Sequence, residues 1–349
     1  MRWWRYIVVI LMASLCLSSQ PAEASSEEAD DVDVSELVFG HIGDSYGWHI
    51  TTWKGHHVTI PLPCIVRSST GWHFFMSSKL EHGHVHEGLC ISEDGKIMEL
   101  MPDGSVTRPF DISITKNVAS LIFSAVLLVI LVLSAARWYK KHDTVNEGAP
   151  KGFTGLMEMM VMMVSDDLVK PSIGEKHYKK YAPFLLTAFF FIFLSNLLGI
   201  VPFFPGGANV TGNIAVTLVL AMFTFFMINL FANRHYWKEI LWPDAPIFLK
   251  FPLPIMQVIE LFGMISKPFS LMVRLFANIL AGHAMILGLV AVIFVTAKMG
   301  PVINGSMTVI TMVFGVFMDC LELLVAFIQA YVFTMLSAVF IGMSRQEEH

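Results

Sequence analysis

The stretch Ile265-Ser-Lys-Pro-Phe-Ser-Leu-Met-Val-Arg274-Leu-Phe-Ala-Asn278-Ile-Leu-Ala-Gly-His283 decides the reading of this chain. Arg274 stands in the middle of its most apolar part. An ionised guanidinium at bilayer depth costs at least about 2.5 to 3.5 kcal/mol on insertion scales, so such a residue faces protein or water and carries function. It also keeps its proton at any physiological pH. The fold must therefore accommodate a permanent positive charge inside a membrane.

The stretch belongs to an apolar run over about 255–297, followed by a second over 303–343. Each exceeds the roughly 20 residues that cross a bilayer upright, which predicts helices strongly tilted or lying partly along the membrane plane. Gly300-Pro301 and Asn304-Gly305 separate the runs, making a helical hairpin with its turn on the outer side. Upstream, 118–136 reads as a first span closed by Arg137-Trp-Tyr-Lys-Lys-His, a basic and aromatic cluster that places this end in the cytoplasm. Spans at 184–201 and 213–231 follow, the second ending at the basic, aromatic Asn233-Arg-His-Tyr-Trp-Lys238, and Pro243 to Pro254 breaks any regular helix before the hairpin. Phe153 to Val169 is Met-rich and interrupted by Asp166-Asp167, which predicts an amphipathic helix on the cytoplasmic surface.

Composition agrees: 55% of residues are hydrophobic and 15% charged, and mean hydropathy is +0.62, well above a soluble domain. A net charge of -5 and the lack of a basic tract exclude nucleic acid as a partner. The start, Met1-Arg-Trp-Trp-Arg5 followed by an apolar run to Leu17 and Pro21-Ala-Glu-Ala24, describes a secretory signal cleaved after Ala24, with an uncleaved first anchor as the alternative reading. Residues 25–110 then form an extracytoplasmic domain, acidic at first and afterwards alternating in strand fashion, with Asp94-Gly and Asp103-Gly as turns. The predicted fold is an all-α polytopic membrane protein with five transmembrane helices over 118–349. It adds the amphipathic helix and a small β-rich N-terminal domain.

Eight of the thirteen histidines fall between His41 and His86. His82, His84 and His86, if on a strand, would share a face and could hold Zn²⁺ or Cu²⁺ with Cys64 or Cys90 nearby. The same spacing fits an exposed loop that binds no metal. Cys64 and Cys90 stand either as a disulfide or as two free thiols.

Within the hairpin, Glu260, Arg274, Asn278 and His283 lie on the first helix and Asp319, Glu322 and Gln329 on the second. Arg274 and Asn278 are an i,i+4 pair on one face. His283 lies about 13.5 Å outward of Arg274, and Glu322 about 10.5 Å outward of Gln329, at 1.5 Å per residue. If Arg274 is level with Gln329, His283 and Glu322 come roughly level too. A titratable pair then occupies the outer half of the membrane, a fixed cation the middle and Glu260 the inner half. Two proton-accessible zones separated by a positive barrier follow from this arrangement. Asn278 and Gln329 serve equally as hydrogen-bond links between helices, and Ser195 and Asn196 either line a cavity or bond helix to helix. Asp319 tunes Glu322 or faces the outer interface.

The chain resembles subunit a of the F-type ATP synthase. The resemblance rests on Ser266-Lys-Pro-Phe-Ser-Leu-Met-Val-Arg274-Leu-Phe-Ala-Asn278-Ile-Leu-Ala-Gly282, Gln329-Ala-Tyr-Val-Phe and Asn196-Leu-Leu-Gly-Ile-Val-Pro202, and covers roughly 118–349. It implies a stationary, non-catalytic subunit in the bacterial inner membrane, with its N-terminal domain periplasmic and its C-terminus cytoplasmic. Its partners would be a rotating c-subunit ring, a b-type peripheral stalk and other synthase subunits, and no cofactor is called for. Arg274 would face each ring carboxylate, supported by Asn278 and Gln329. Protons would enter past Glu322 and His283 and leave by way of Glu260. Some bacterial members carry this His and Glu exchanged between the two positions, which keeps a couple of one His and one Glu. No phosphate-binding GxxxxGK[ST] loop is present, so ATP chemistry would belong to other subunits. The rival is a stand-alone secondary ion transporter or channel, which predicts paired halves; no internal symmetry of that kind is evident in the sequence.

Overall fold

The computed structural model describes residues 43–53, 56–80, 84–92, 95–101, 105–142, 150–201, 205–242 and 255–345. The expected signal segment 1–24, His82, Asp94, Asp103 and the proline-rich break at 243–254 lie outside these residues. The described chain forms two compact units, one of Met1–Phe123, Leu198–Val210 and His283–Asp319, the other of Ser124–Leu197, Thr211–Gly282 and Cys320–His349.

Among its described residues the first unit opens with eight short strands. Strands β1 (Gly47–Trp53) and β2 (His56–Pro61) pair antiparallel. Strands β3 (Pro63–Ser68), β4 (Gly71–Met76) and β8 (Phe110–Asp111) make a sheet of order β4-β3-β8, and β5 (Leu89–Ile91), β6 (Ile97–Leu100) and β7 (Val106–Thr107) make another of order β5-β6-β7. Two residues, Ser69 and Thr70, join β3 to β4, and Gly71 closes the turn at φ 134°, a value glycine adopts without Cβ strain. Cys64, Val66, Phe75, Leu80, Leu89 and Ile97 form the core between the sheets. Glu99 is buried beside it, its carboxylate accepting the Ser69 N–H at 3.1 Å.

Strand alternation decides the cysteines. Leu89 is fully buried and Ile91 packs on the same core, so Cys90 between them points to the other side of β5 while Cys64 points inward. Both are free thiols, and the disulfide considered from the sequence is not formed. In the described part of the histidine alternation, residues 84 and 85 are irregular and His86 makes a single bridge to Leu89. Among the described residues no three His, Cys, Asp or Glu side chains are placed to share a metal ion.

After β8 the ladder continues without slack. Ile112 N–H donates to Ile65 O and Ile114 N–H to Pro63 O, at 2.9 and 3.0 Å, and Lys116 N–H donates to Ser45 O at 2.8 Å. Lys116 begins α1 (Lys116–Lys141). Its first turn is capped from afar, the Asp44 carboxylate accepting the Asn117 N–H at 3.0 Å.

In the second unit, α2 (Phe153–Met162), a π-helical run Met163–Val169 and α3 (Lys170–Ile173) follow one another. Met157, Met160, Val164, Leu168 and Ile173 are buried while Asp166 and Asp167 are exposed, which is the amphipathic pattern expected here. The wider π turn was not legible in the sequence. On α4 (Tyr178–Ile200), Tyr181, Leu185, Ala188, Phe189, Ile192, Ser195 and Asn196 are buried at helical spacing. Helix α5 (Ile214–Leu230) is capped by Asn213, whose Oδ1 accepts the Ala215 N–H at 3.0 Å.

Among the described residues, four helices are long and apolar enough to cross a membrane by themselves: α1, α4, α7 (Ile255–Thr296) and α8 (Pro301–Met343). The expected span at 213–231 reaches that length only together with α6 (Arg234–Leu241), across a bend of 101°. The bend sits where Asn233 is tied to the C-terminal end of α8. Its N–H donates to Ser344 O and its amide to Arg345 O, and Arg345 returns bonds to Asn233 Oδ1 and to the Tyr181 hydroxyl. Helices α7 and α8, 42 and 43 residues long, measure about 63 Å and about 65 Å at 1.5 Å per residue, twice a hydrocarbon core.

Candidate functional site

Arg274 lies on α7, whose packing is read from its neighbours. Leu271, Leu275 and Ile279 repeat every four residues and are buried with Met272 in the core of the second unit. Ser270, Val273, Arg274, Ala277, Asn278 and Ala281 lie around the rest of the helix surface, Arg274 and Asn278 flanking the packed face, and are exposed. Neither Arg274 nor Asn278 has a hydrogen-bond or ion-pair partner among the described residues. The small side chains around Arg274, Ser270, Ala277 and Ala281, leave its face shallow.

Gln329 and Glu322 lie on the buried side of α8. That helix packs through small residues, Ala326, Ala330, Thr334, Ser337 and Ala338, all fully buried, which lets backbones approach closely. Phe327 inserts its ring edge-on against Phe189 and Phe193 of α4, at 6.1 and 5.8 Å. Asn196 joins these helices by donating to Ala326 O at 3.3 Å and accepting from the Thr211 hydroxyl. Of the two readings considered for Asn196, helix-to-helix bonding is the observed one. Ser195 beside it is fully buried, and its hydroxyl has no partner among the described residues.

Gly282 sets the register of the hairpin. A Cβ there would stand 3.4 Å from Glu322 Oε1, so α7 meets α8 at this level through a glycine and a buried carboxyl group. Seven residues inward along each antiparallel helix come Leu275 and Gln329, and Arg274 is one residue further on. Glu260, half-buried on α7, is close enough for its charge to act on Tyr236 of α6. Lys267 extends its ammonium over the Phe340 ring at 5.6 Å, its apolar stem lying along the protein.

In the first unit, His283 is half-buried against the end of α4. A Cβ on Gly199 would meet its Nε2 at 3.5 Å and Ala208 O at the same distance. Asp319 is half-buried on α8. Sequence reasoning missed Gly199, Gly282 and Thr211. A glycine inside an apolar helix was the available signal for the first two, because it marks a close approach; Thr211 carried none. In the N-terminal domain, His84 is exposed and His86 is half-buried, 3.4 Å from Lys79 Nζ and edge-on to Phe75.

Helices of this length and apolarity, packed through small residues, define a polytopic membrane protein. Comparison with known proteins agrees with that class. Residues 118–342 match the ATP synthase A chain family, and residues 37–117 match a domain of unknown function. ATP synthase subunit a 2 of Chlorobaculum tepidum is 41% identical over 258 residues, covering 72% of this chain and 70% of that protein. ATP synthase subunit a of Chloroherpeton thalassium is 40% identical over 270 residues, 73% of this chain and 76% of the relative. Subunit a of Anaeromyxobacter dehalogenans is 37% identical over 273 residues, 75% and 66% of the two chains. The chain belongs to the F-type ATP synthase subunit a family.

Proposed function

We propose that this chain is the stationary proton-translocating subunit of an F-type ATP synthase in a bacterial inner membrane. The observation that carries the reading is Arg274, exposed on α7 with no hydrogen-bond or ion-pair partner among the described residues. A ring of c subunits, each presenting a carboxylate at that depth, supplies the missing counter-charge. Opposite charge at close range favours the ionised carboxylate. An arriving ring carboxyl group thus gives up its proton before passing Arg274, and a proton cannot cross directly between the two access paths.

The outer path runs past Glu322 and His283, and the inner path by way of Glu260, with Asn278 and Gln329 positioning Arg274. Support for the levels comes from the Gly282–Glu322 approach, which puts Arg274 within one residue of Gln329, about 1.5 Å along the axis. His283 directly follows Gly282, so the His–Glu couple comes from adjacent positions in this register. Asp319 lies one turn outward of Glu322 along α8. The chain itself carries out no ATP chemistry; its partners are the c-ring, a b-type stalk and the remaining subunits. Residues 25–110 lie on the periplasmic side and the C-terminus in the cytoplasm.

Arg274→Ala tests this reading. Proton-driven ATP synthesis is abolished while the complex stays assembled, as judged by subunit composition after purification. Full coupled synthesis in an assembled Arg274→Ala complex would refute it.

A further inference from the structure

We propose that the outer face of the β4-β3-β8 sheet is a lipid-contacting surface, resting on the headgroup and upper acyl region of the leaflet into which α1 begins. The proposal rests on α1 being a membrane span.

An antiparallel sheet with one face on a core ordinarily turns a polar face outward. Here the inward face carries Cys64, Val66 and Phe75. The outward face carries Ile65 on β3, Trp72, Phe74 and Met76 on β4, and Phe110 and Ile112 along β8. Phe74 is 71%, Phe110 62% and Ile112 53% exposed, far more than a folded domain leaves bare on one sheet. The residues are contiguous. Ile65 pairs with Phe74, Arg67 pairs with both Trp72 and Phe110, and the Trp72 and Phe74 rings stack at 6.4 Å.

Continuity with α1 identifies the occupant. The β8 ladder runs through Ile112 and Ile114, and Lys116 is held to Ser45 O as the helix begins, so this sheet is fastened to the top of α1 by backbone bonds. Val118 and Ile122, exposed on the first turns of α1, continue the apolar surface within six and ten residues of Ile112. The chemistry of the face agrees. Trp and Phe with a flanking arginine is the composition of the membrane–water interface. Arg67 lies over the Trp72 ring at 5.7 Å, its stem on the apolar face and its charge at the rim.

The test uses the full chain in the membrane of the cells that make it. A photoreactive benzoylphenylalanine is placed singly at Phe74, at Phe110, at Ile122 on α1 and at Lys96, exposed just before β6 of the other sheet. Adducts are read by mass spectrometry after irradiation. Phospholipid adducts are expected at 74, 110 and 122 and none at 96. Lipid adducts at 122 without any at 74 and 110 overturn the proposal. So do adducts at 74 or 110 to another subunit, a second copy or another segment of this chain. Absence of lipid adducts at 122 would overturn the membrane placement of α1, and the proposal with it.

Discussion

Gly282 offers a graded perturbation of the Glu322 carboxyl group. A Cβ at this position meets Glu322 Oε1 at 3.4 Å, Cγ at 3.7 Å and Cδ at 3.8 Å, all ordinary contacts. Gly282→Ala therefore fits without displacing the carboxyl group, and in a helix interior it favours folding by about 0.5–1 kcal/mol. Gly282→Val hangs two more carbons, about 1.5 Å further out, on a Cβ already in contact. Glu322 is 7% exposed and has little room to retreat. Overpacking of this kind costs about 1–3 kcal/mol. If the displaced carboxyl group lies on the proton path, the same energy enters the transfer barrier, and flux falls by about fivefold to about 150-fold. The assay is proton uptake and ATP synthesis by the complete complex in vesicles, with assembly verified by subunit composition. Glu322→Asp, which withdraws the carboxyl group by one methylene, raises flux in the Gly282→Val background. Wild-type flux in an assembled Gly282→Val complex would remove Glu322 from the path.

Three further outcomes follow from particular contacts. Gly342→Ala destabilises the protein by about 1–3 kcal/mol, because its Cβ would lie 2.0 Å from Ser172 O; Gly315→Ala, with nothing within 4 Å on the same helix, is neutral or stabilising. Thermal midpoints of the two variants compared with wild type check this, and equal shifts would refute the close approach. In the N-terminal domain, hydrogen bonding to His73 holds the Glu87 carboxyl group below its usual range, while Glu87 itself adopts a left-handed φ of 54°. The folded pKa is depressed, so the stabilising contribution is present above the unfolded carboxylate pKa and is lost as pH falls through the folded one. The difference in thermal midpoint between wild type and Glu87→Gln should shrink on acidification through that window, and a pH-independent difference would count against the contact. Finally, burial pushes the Cys64 thiol up to about 11, so at mildly alkaline pH maleimide labels Cys90 in the native protein and Cys64 only after unfolding; mass spectrometry of the labelled peptides decides.

Much of the helical part was legible because its signals are local. Apolar runs, basic aromatic ends and the lone Arg274 mark spans and charge without knowledge of any partner. Two elements have details set by contacts far away in the sequence. The segment 213–231 stops short as a 17-residue helix, because Asn233 is pinned to residues more than a hundred positions away. The histidine alternation carries the period of a strand, yet its described residues 84 and 85 are irregular and β5 takes its ladder bonds from β6.

The sequence by itself determined that this is a multi-pass membrane protein of the subunit a family, with Arg274 in the most apolar part of its long hairpin. Hydropathy and motif spacing are written in neighbouring residues, and a bilayer compels each apolar run to satisfy its own backbone. Only the tertiary structure decided which side of α7 is left bare around Arg274, and that Gly282 and Gly199 make room for Glu322 and His283. It also decided that Asn196 bonds Thr211 and a carbonyl 130 residues distant, that Cys90 faces away from Cys64, and that the N-terminal sheet turns an apolar face outward. Each depends on which distant segments meet, and a residue's own type and spacing do not record that.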